Sequence, residues 1–204
     1  NVAECKIRMF GSVTAYMTKR FDRQNTVQRI QQEDFCQGLG LSNKKYQRTE
    51  GGPSIKQCFQ FIHNNLANKA KDELHFLKSI AFNFLIGNSD AHGKNFSYLH
   101  TANGYVLSPL YDLVSTQVYP QLAKEMSMSI GGEYEPDRIT RTNFMVMAKE
   151  LGVKSQLIND ILDKLAAEII VQAEKLKEMT TTEKTYNPVY DKVIEIIKAR
   201  VAQL

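Results

Sequence analysis

The chain lacks the signals that mark secreted and membrane-spanning proteins. Its three cysteines, Cys5, Cys36 and Cys58, are odd in number and widely spaced. No two of them sit at the close spacing of a metal or redox pair, so neither a disulfide framework nor a zinc site is indicated. A reducing cytoplasm is therefore the expected compartment. No apolar run approaches the roughly 20 residues needed to cross a bilayer. The first residues do not show a charged-then-apolar leader pattern. Strong charge of one sign is also missing: 26 Lys and Arg against 22 Asp and Glu leave +4. That excess suits a basic face but does not argue nucleic-acid binding, since the basic residues are scattered and no recognition motif or stacking cluster accompanies them. Repeats and low-complexity tracts are absent. At 204 residues the chain has the size of one domain, or one domain with a small lobe, and can bury a substantial core.

What is present is mostly helical periodicity. Residues 4–10 and 13–18 alternate around Gly11-Ser12 as a β-hairpin. Residues 31–39 read as a short helix stopped by Gly40, and residues 42–53 as a polar loop. Ser54 suits the N-cap of a helix to residue 66, where Ile55, Phe59, Ile62 and Leu66 recur at three- and four-residue steps. The strongest pattern covers residues 71–86. Leu74, Leu77, Ile80, Ala81, Phe84 and Leu85 make a stripe wide enough for a largely buried helix, ended by Gly87. Alternating Met and Ser predict a short strand at 126–130. Thr142 is the expected cap of a helix over 143–151, with Gly152 as its stop. A long helix should run from Ser155 to about residue 178 on Leu157, Ile161, Leu165, Ile169 and Leu176, broken by Thr180, Thr181 and Thr182. Asn187-Pro188 opens the last helix, whose stripe is Val193, Ile194, Ile197 and Val201. The expected class is α+β, mainly α.

Residues 85–112 carry the chemistry. Asp90 is followed five positions later by Asn95, then by two short aromatic and branched runs around Asn103-Gly104, then by Asp112. Asn-Gly between such runs predicts a hairpin with a primed turn. A hairpin brings Asp112 back beside Asn95. Phosphoryl transfer needs a carboxylate to take the proton of the attacking hydroxyl, and oxygen ligands to hold magnesium against the phosphates. Asp90 fits the first role, and Asn95 with Asp112 the second. The protein-kinase catalytic loop has the same Asp-to-Asn interval and a later metal-binding Asp. Plainer readings stand beside these: Asp and Asn are common turn and cap residues. His92 is assigned to loop geometry or nucleotide contact. Lys94 is either a cation beside the transferring phosphoryl group or a solvated turn lysine. Tyr111 is a nucleotide neighbour or a core aromatic.

GNSDAHGKNFS, LSPLYDLVST and SMSIGG, with KRFDR upstream and QEDFCQGLG followed by Tyr46 and GGPS, resemble the C-terminal region of HipA-type serine/threonine kinases, toxins of bacterial toxin–antitoxin pairs. The resemblance covers most of the chain in family order. It implies a protein-kinase-like helical lobe over residues 23–204, preceded by a remnant of an N-terminal lobe over 1–22. It also implies ATP and Mg2+ as cofactors, with Asp90 and Lys94 as catalytic residues. Nucleotide contacts would come from a hinge of Lys19, Arg20 and Phe21 and from His92, Gly93, Lys94, Asn95, Tyr111 and Asp112, with Asn95 and Asp112 on the metal. The implied partners are a protein substrate, aminoacyl-tRNA synthetases being known targets, and a DNA-binding antitoxin through which any DNA contact would run.

The family pattern is not complete. No glycine-rich phosphate-covering loop precedes Lys19, no strand lysine with a helix glutamate partner is assignable, and no Ala-Pro-Glu segment appears. The expectation is a chain that begins inside the N-terminal lobe, either as a fragment or with that lobe supplied from elsewhere. The competing expectation is a non-catalytic kinase-like lobe that binds an antitoxin or another protein.

Overall fold

The computed structural model describes residues 1–25, 28–42, 50–182 and 185–204. The fold is mostly helical, with a short N-terminal β-hairpin and a C-terminal helical bundle. The hairpin pairs β1 (Cys5–Phe10) with β2 (Val13–Thr18), Cys5 opposite Thr18 and Phe10 opposite Val13. A two-residue pair, β3 (Arg23–Gln24) and β4 (Gln28–Arg29), follows.

Residues 31–39 are not one helix. β5 (Gln32–Asp34) joins a sheet, and only α1 (Phe35–Gly38) is helical. The polar Gln-Gln-Glu-Asp run has no apolar face to bury as a helix, but its backbone pairs with the hairpin of the site. Asp34 then caps α1, accepting from the Gln37 N–H at 2.8 Å. The loop expected over 42–53 lies largely outside the described residues.

α2 (Ile55–Asn65) and α3 (Lys69–Leu85) follow expectation. The Ser54 hydroxyl accepts from the Gln57 N–H, and the Gln57 carboxamide accepts from the Ser54 N–H at 2.9 Å, a reciprocal cap. α3 buries Phe76, Leu77, Ile80, Ala81, Phe84 and Leu85. Each large apolar side chain so buried contributes roughly 1.5–3 kcal/mol. Phe35, Phe61, Phe76 and Phe96 form one ring cluster, with centroids 5.1–6.1 Å apart between touching pairs.

β6 (Ser97–Thr101) and β7 (Gly104–Leu107) complete a three-stranded sheet of order β5-β6-β7. Their turn is not the primed Asn-Gly form. Thr101 pairs with Gly104, so Ala102 and Asn103 are the turn residues, and the positive φ of +102° falls on Gly104 and not on Asn103. The ribbon is pinned to the helices: Ala67 N–H donates to the Tyr105 carbonyl at 2.7 Å, and Leu107 N–H to buried Asp72 at 3.2 Å.

Residues 126–130 form no strand. Met126, Met128 and Ile130 are buried alternately, but the backbone bonds irregular partners: Met126 N–H to the Tyr134 carbonyl and Ser127 N–H to the Ser89 carbonyl. α4 (Arg141–Leu151) is capped by Thr140 rather than Thr142, with its N–H and hydroxyl bonding the Asn143 carboxamide oxygen. α5 (Ser155–Thr182) runs through the threonines expected to break it. Their hydroxyls donate back to the carbonyls of Lys177 and Glu178 and so stay compatible with the helix. Its buried stripe is Ile158, Ile161, Leu162 and Ile169, while Leu157 and Leu176 are exposed. α6 (Val189–Ala202) packs on α3 and α5 through Ile194 and Ile197. Among the described residues no helix is long and apolar enough to cross a membrane.

Candidate active site

Two arms bring the candidate residues together. The first is the end of α3. Gly87 takes φ +71°, and a side chain there would sit 2.7 Å from Ile196 Cγ2, so both backbone shape and space demand glycine. The chain then turns through Asn88, Ser89 and Asp90 into a 3-10 turn, Gly93–Asn95. The second arm is the return of the β6–β7 ribbon, which delivers Tyr111 and Asp112. Asp112 adopts a left-handed φ of +56°. Asp tolerates that region better than most side chains, and residues held there cluster at functional sites.

The arms are joined side chain to side chain. Asn95 Nδ2 donates to Asp112 Oδ2 at 2.7 Å. Its amide nitrogen so engaged, Asn95 offers Oδ1 as its remaining acceptor. Buried Asn88 ties the same arms by backbone: Nδ2 donates to the Asp112 carbonyl at 3.1 Å and to Asn83 Oδ1 at 2.7 Å, and Oδ1 accepts from the Asp90 N–H at 3.2 Å.

Asp90 is half exposed, and its carboxylate lies 3.8 Å from His92 Nε2. Burial pushes the Asp90 carboxyl above its ordinary value; His92 opposes this and the Asp112 charge adds to it. Burial pushes the His92 imidazole down, against the pull of Asp90. A basic carboxylate beside a neutral imidazole is suited to receive a proton. The Lys94 carbonyl accepts from the Tyr111 hydroxyl at 2.6 Å, and Ser97 Oγ lies 2.5 Å from the same hydroxyl. Burial pushes that phenol up to about 12.

The other predicted residues fall at different places. Gly93 is buried, and a Cβ there would meet Pro53 Cγ at 2.5 Å and Cys36 Sγ at 2.9 Å. Phe21 packs its ring 5.9 Å from that of Tyr111, which puts this hinge candidate against the site. Arg20 is turned to its own segment. It donates through Nε and Nη2 to Asp22, whose carboxyl is held down to about 2, chiefly by Arg20 and also by Arg23. Lys19 pairs with Glu4 at 3.2 Å, both exposed. Among the described residues no three His, Cys, Asp or Glu side chains converge as a metal cluster. Sequence reasoning missed Asn88 and Ser89, 1% and 3% exposed. The available signal was their place: two small polar residues just after the helix with the widest apolar stripe.

The profile of the HipA-like C-terminal domain matches residues 1–173. A putative kinase of Sinorhizobium fredii, Y4mE, is 39% identical over 162 residues, covering 78% of this chain and 39% of its own. The serine/threonine-protein kinase toxin HipA of Shewanella oneidensis is 34% identical over 200 residues, 87% of this chain and 46% of its own. The solved Shewanella complex of HipA, HipB and operator DNA superposes with a TM-score of 0.86 at 29% identity, over 100% of this chain and 51% of that one. The Helicobacter pylori proinflammatory kinase CtkA, at 12% identity and a TM-score of 0.54, shares the fold. The chain thus spans less than half the length of these two curated relatives, and it belongs to the HipA-like C-terminal domain family.

Proposed function

We propose that the protein is the catalytic lobe of an ATP-dependent serine/threonine kinase of the HipA-like toxin type. The observation that carries this reading is the Asn95–Asp112 contact of 2.7 Å beside Asp90. The 2.7 Å contact between one tight loop and one returning ribbon supports reading Asp90 as a proton acceptor and Asn95 and Asp112 as two hard oxygen donors about one point. That donor set has neither thiolate nor imidazole and suits magnesium, which takes one or two side-chain oxygens and completes its shell with phosphate and water. The bound ion would neutralise phosphate charge. Asn95 and Asp112 would hold it, and Lys94 would face the transferring phosphoryl group. Asp90 takes the proton of the substrate hydroxyl as its oxygen bonds the γ-phosphorus and the bond to ADP breaks. His92 and Gly93 shape the loop around the nucleotide. Phe21 and Tyr111 line the nucleotide side, with Lys19 and Arg20 on the hinge, which divides residues 1–22 from the lobe at 23–204.

The Shewanella complex, which holds HipA with HipB and operator DNA, supports an antitoxin of the HipB kind as partner; the proposal adds DNA reached only through that antitoxin and, from the motif resemblance alone, a cytoplasmic protein substrate of the aminoacyl-tRNA synthetase class. With a complete N-terminal lobe supplied, Asp90→Ala should lower γ-phosphate transfer by about 10²–10⁴-fold while leaving magnesium-dependent ATP binding measurable by calorimetry. Asp112→Ala should lose both. Full transfer by either variant ends the assignment. ATP binding indifferent to magnesium in the unsubstituted protein would leave a partner-binding lobe instead.

A further inference from the structure

We infer that Arg200, on the last helix and beyond the family match, is a positioning residue that orients the Asp90 loop through Gln117 and Ser89. Arg200 is 6% exposed. Its guanidinium lies 5.7 Å above the Phe84 ring, and Nε makes no hydrogen bond. Taking a cation out of water is costly unless the geometry repays it. Its carboxylate partner, Asp137, bonds Nη2 at 2.8 Å but is 82% exposed, a weak return for a buried charge. The more informative contact is the second one made by Nη2, 2.8 Å to Gln117 Oε1.

Arginine has donors and no acceptor, so it decides which end of the Gln117 carboxamide faces it. Oxygen must point at Arg200, and the amino group then points the other way. Gln117 Nε2 accordingly donates to Ser89 Oγ at 3.0 Å. With that oxygen accepting, the Ser89 hydroxyl hydrogen goes to the Lys124 carbonyl at 2.7 Å. The relay runs one way, Arg200 to Gln117 to Ser89 to Lys124, and Ser89 is the residue before Asp90. Two backbone bonds complete the clamp. Gln117 N–H donates to the Gly87 carbonyl at 3.1 Å, and Ser127 N–H donates to the Ser89 carbonyl at 2.8 Å. Gln117 Cβ and Oε1 also stand 3.3 and 3.2 Å from where a Gly87 side chain would begin. The C-terminal helix therefore holds both ends of the Gly87–Ser89 step that aims Asp90.

Two substitutions separate this role from packing. Arg200→Met keeps an apolar body over Phe84 and removes the donors. Gln117→Glu keeps an acceptor for Arg200 but cannot donate to Ser89. The relay predicts that amide hydrogen exchange at Ser89 and Ser127 speeds up at least about tenfold in both variants, while α6 amides from Val193 to Val201 keep their protection in Gln117→Glu. The consequence for turnover rests on the kinase reading: kcat should fall about tenfold or more with the KM for ATP nearly unchanged. Unaltered exchange at Ser89 and Ser127 in both variants overturns the proposal, as does loosening in both that starts in α6. No phosphate transfer by the unsubstituted protein supplied with a complete N-terminal lobe removes the kinase reading alone, and exchange still judges the relay.

Discussion

Asp90 shows how a side chain placed for a proposed function can oppose the stability of the fold that carries it. Burial and the neighbouring Asp112 charge raise its carboxyl above the value of 3.8 it has in an unfolded chain. The folded state therefore holds that proton more tightly than the unfolded state does. Below 3.8 both states are protonated and Asp90 makes no difference. As pH rises past that value the unfolded chain ionises first, and stability falls until the folded carboxyl has ionised as well. Asp90→Asn removes the penalty and keeps the shape. It should melt at a higher temperature than the natural protein at pH 7, with the gap closing toward pH 3, while losing phosphate transfer. Melting curves at the two pH values check this. A variant less stable at pH 7 would mean that the carboxylate is held by contacts that outweigh its desolvation.

At the scale of elements, the site depends on helices whose ends are fixed locally. The Ser54–Gln57 box starts α2, and α2 with α3 carries the ribbon through Ala67 and Asp72. Ser54→Ala should cost about 1 kcal/mol, which for a chain of this size lowers the melting midpoint by roughly 2–4 °C, with phosphate transfer at 25 °C unchanged. Such elements were legible because their signals are local: the stripe of α3, the Ser54 cap, Gly87 as a stop, and the spacing from Asp90 to Asn95. Two of the errors fell where a distant partner decides. Residues 32–34 became a strand because β6 offers its edge, and residues 126–130 did not because the Met126 and Ser127 amides donate to the Tyr134 and Ser89 carbonyls. Thr180 to Thr182 stayed helical through bonds to their own preceding turn, a possibility that propensity alone undervalues. The Asn95–Asp112 meeting was foreseeable from the ribbon. The Arg200 relay was not, since nothing in a sequence says that residue 200 lies against residue 117.

For the whole molecule, stability is unevenly spread. The core joins α2 to α6 with the β5–β7 sheet, and Phe35, Phe76, Phe84 and Phe144 are essentially sealed within it. The β1–β2 ribbon is different. Met9, Phe10, Val13 and Tyr16 are 59–71% exposed, and an isolated two-stranded ribbon is marginal in water. The residues before it are tied to the core, Ala3 N–H to the Leu110 carbonyl at 2.8 Å and Leu110 N–H to the Asn1 carbonyl at 3.0 Å, whereas Lys19 N–H to the Glu4 carbonyl at 2.8 Å only extends the ribbon's own pairing. The ribbon should therefore open without the core. Its amides ought to exchange far faster than those of β6, and Phe10→Ser should leave the melting midpoint essentially where it was. Phe84→Ala, which empties a sealed site beside Phe144 and under Arg200, should cost about 3–5 kcal/mol. Because the Asp90 loop leaves from the end of α3, that loss should also slow phosphate transfer. Equal damage from the two substitutions would show that the ribbon and the helical core unfold as one unit.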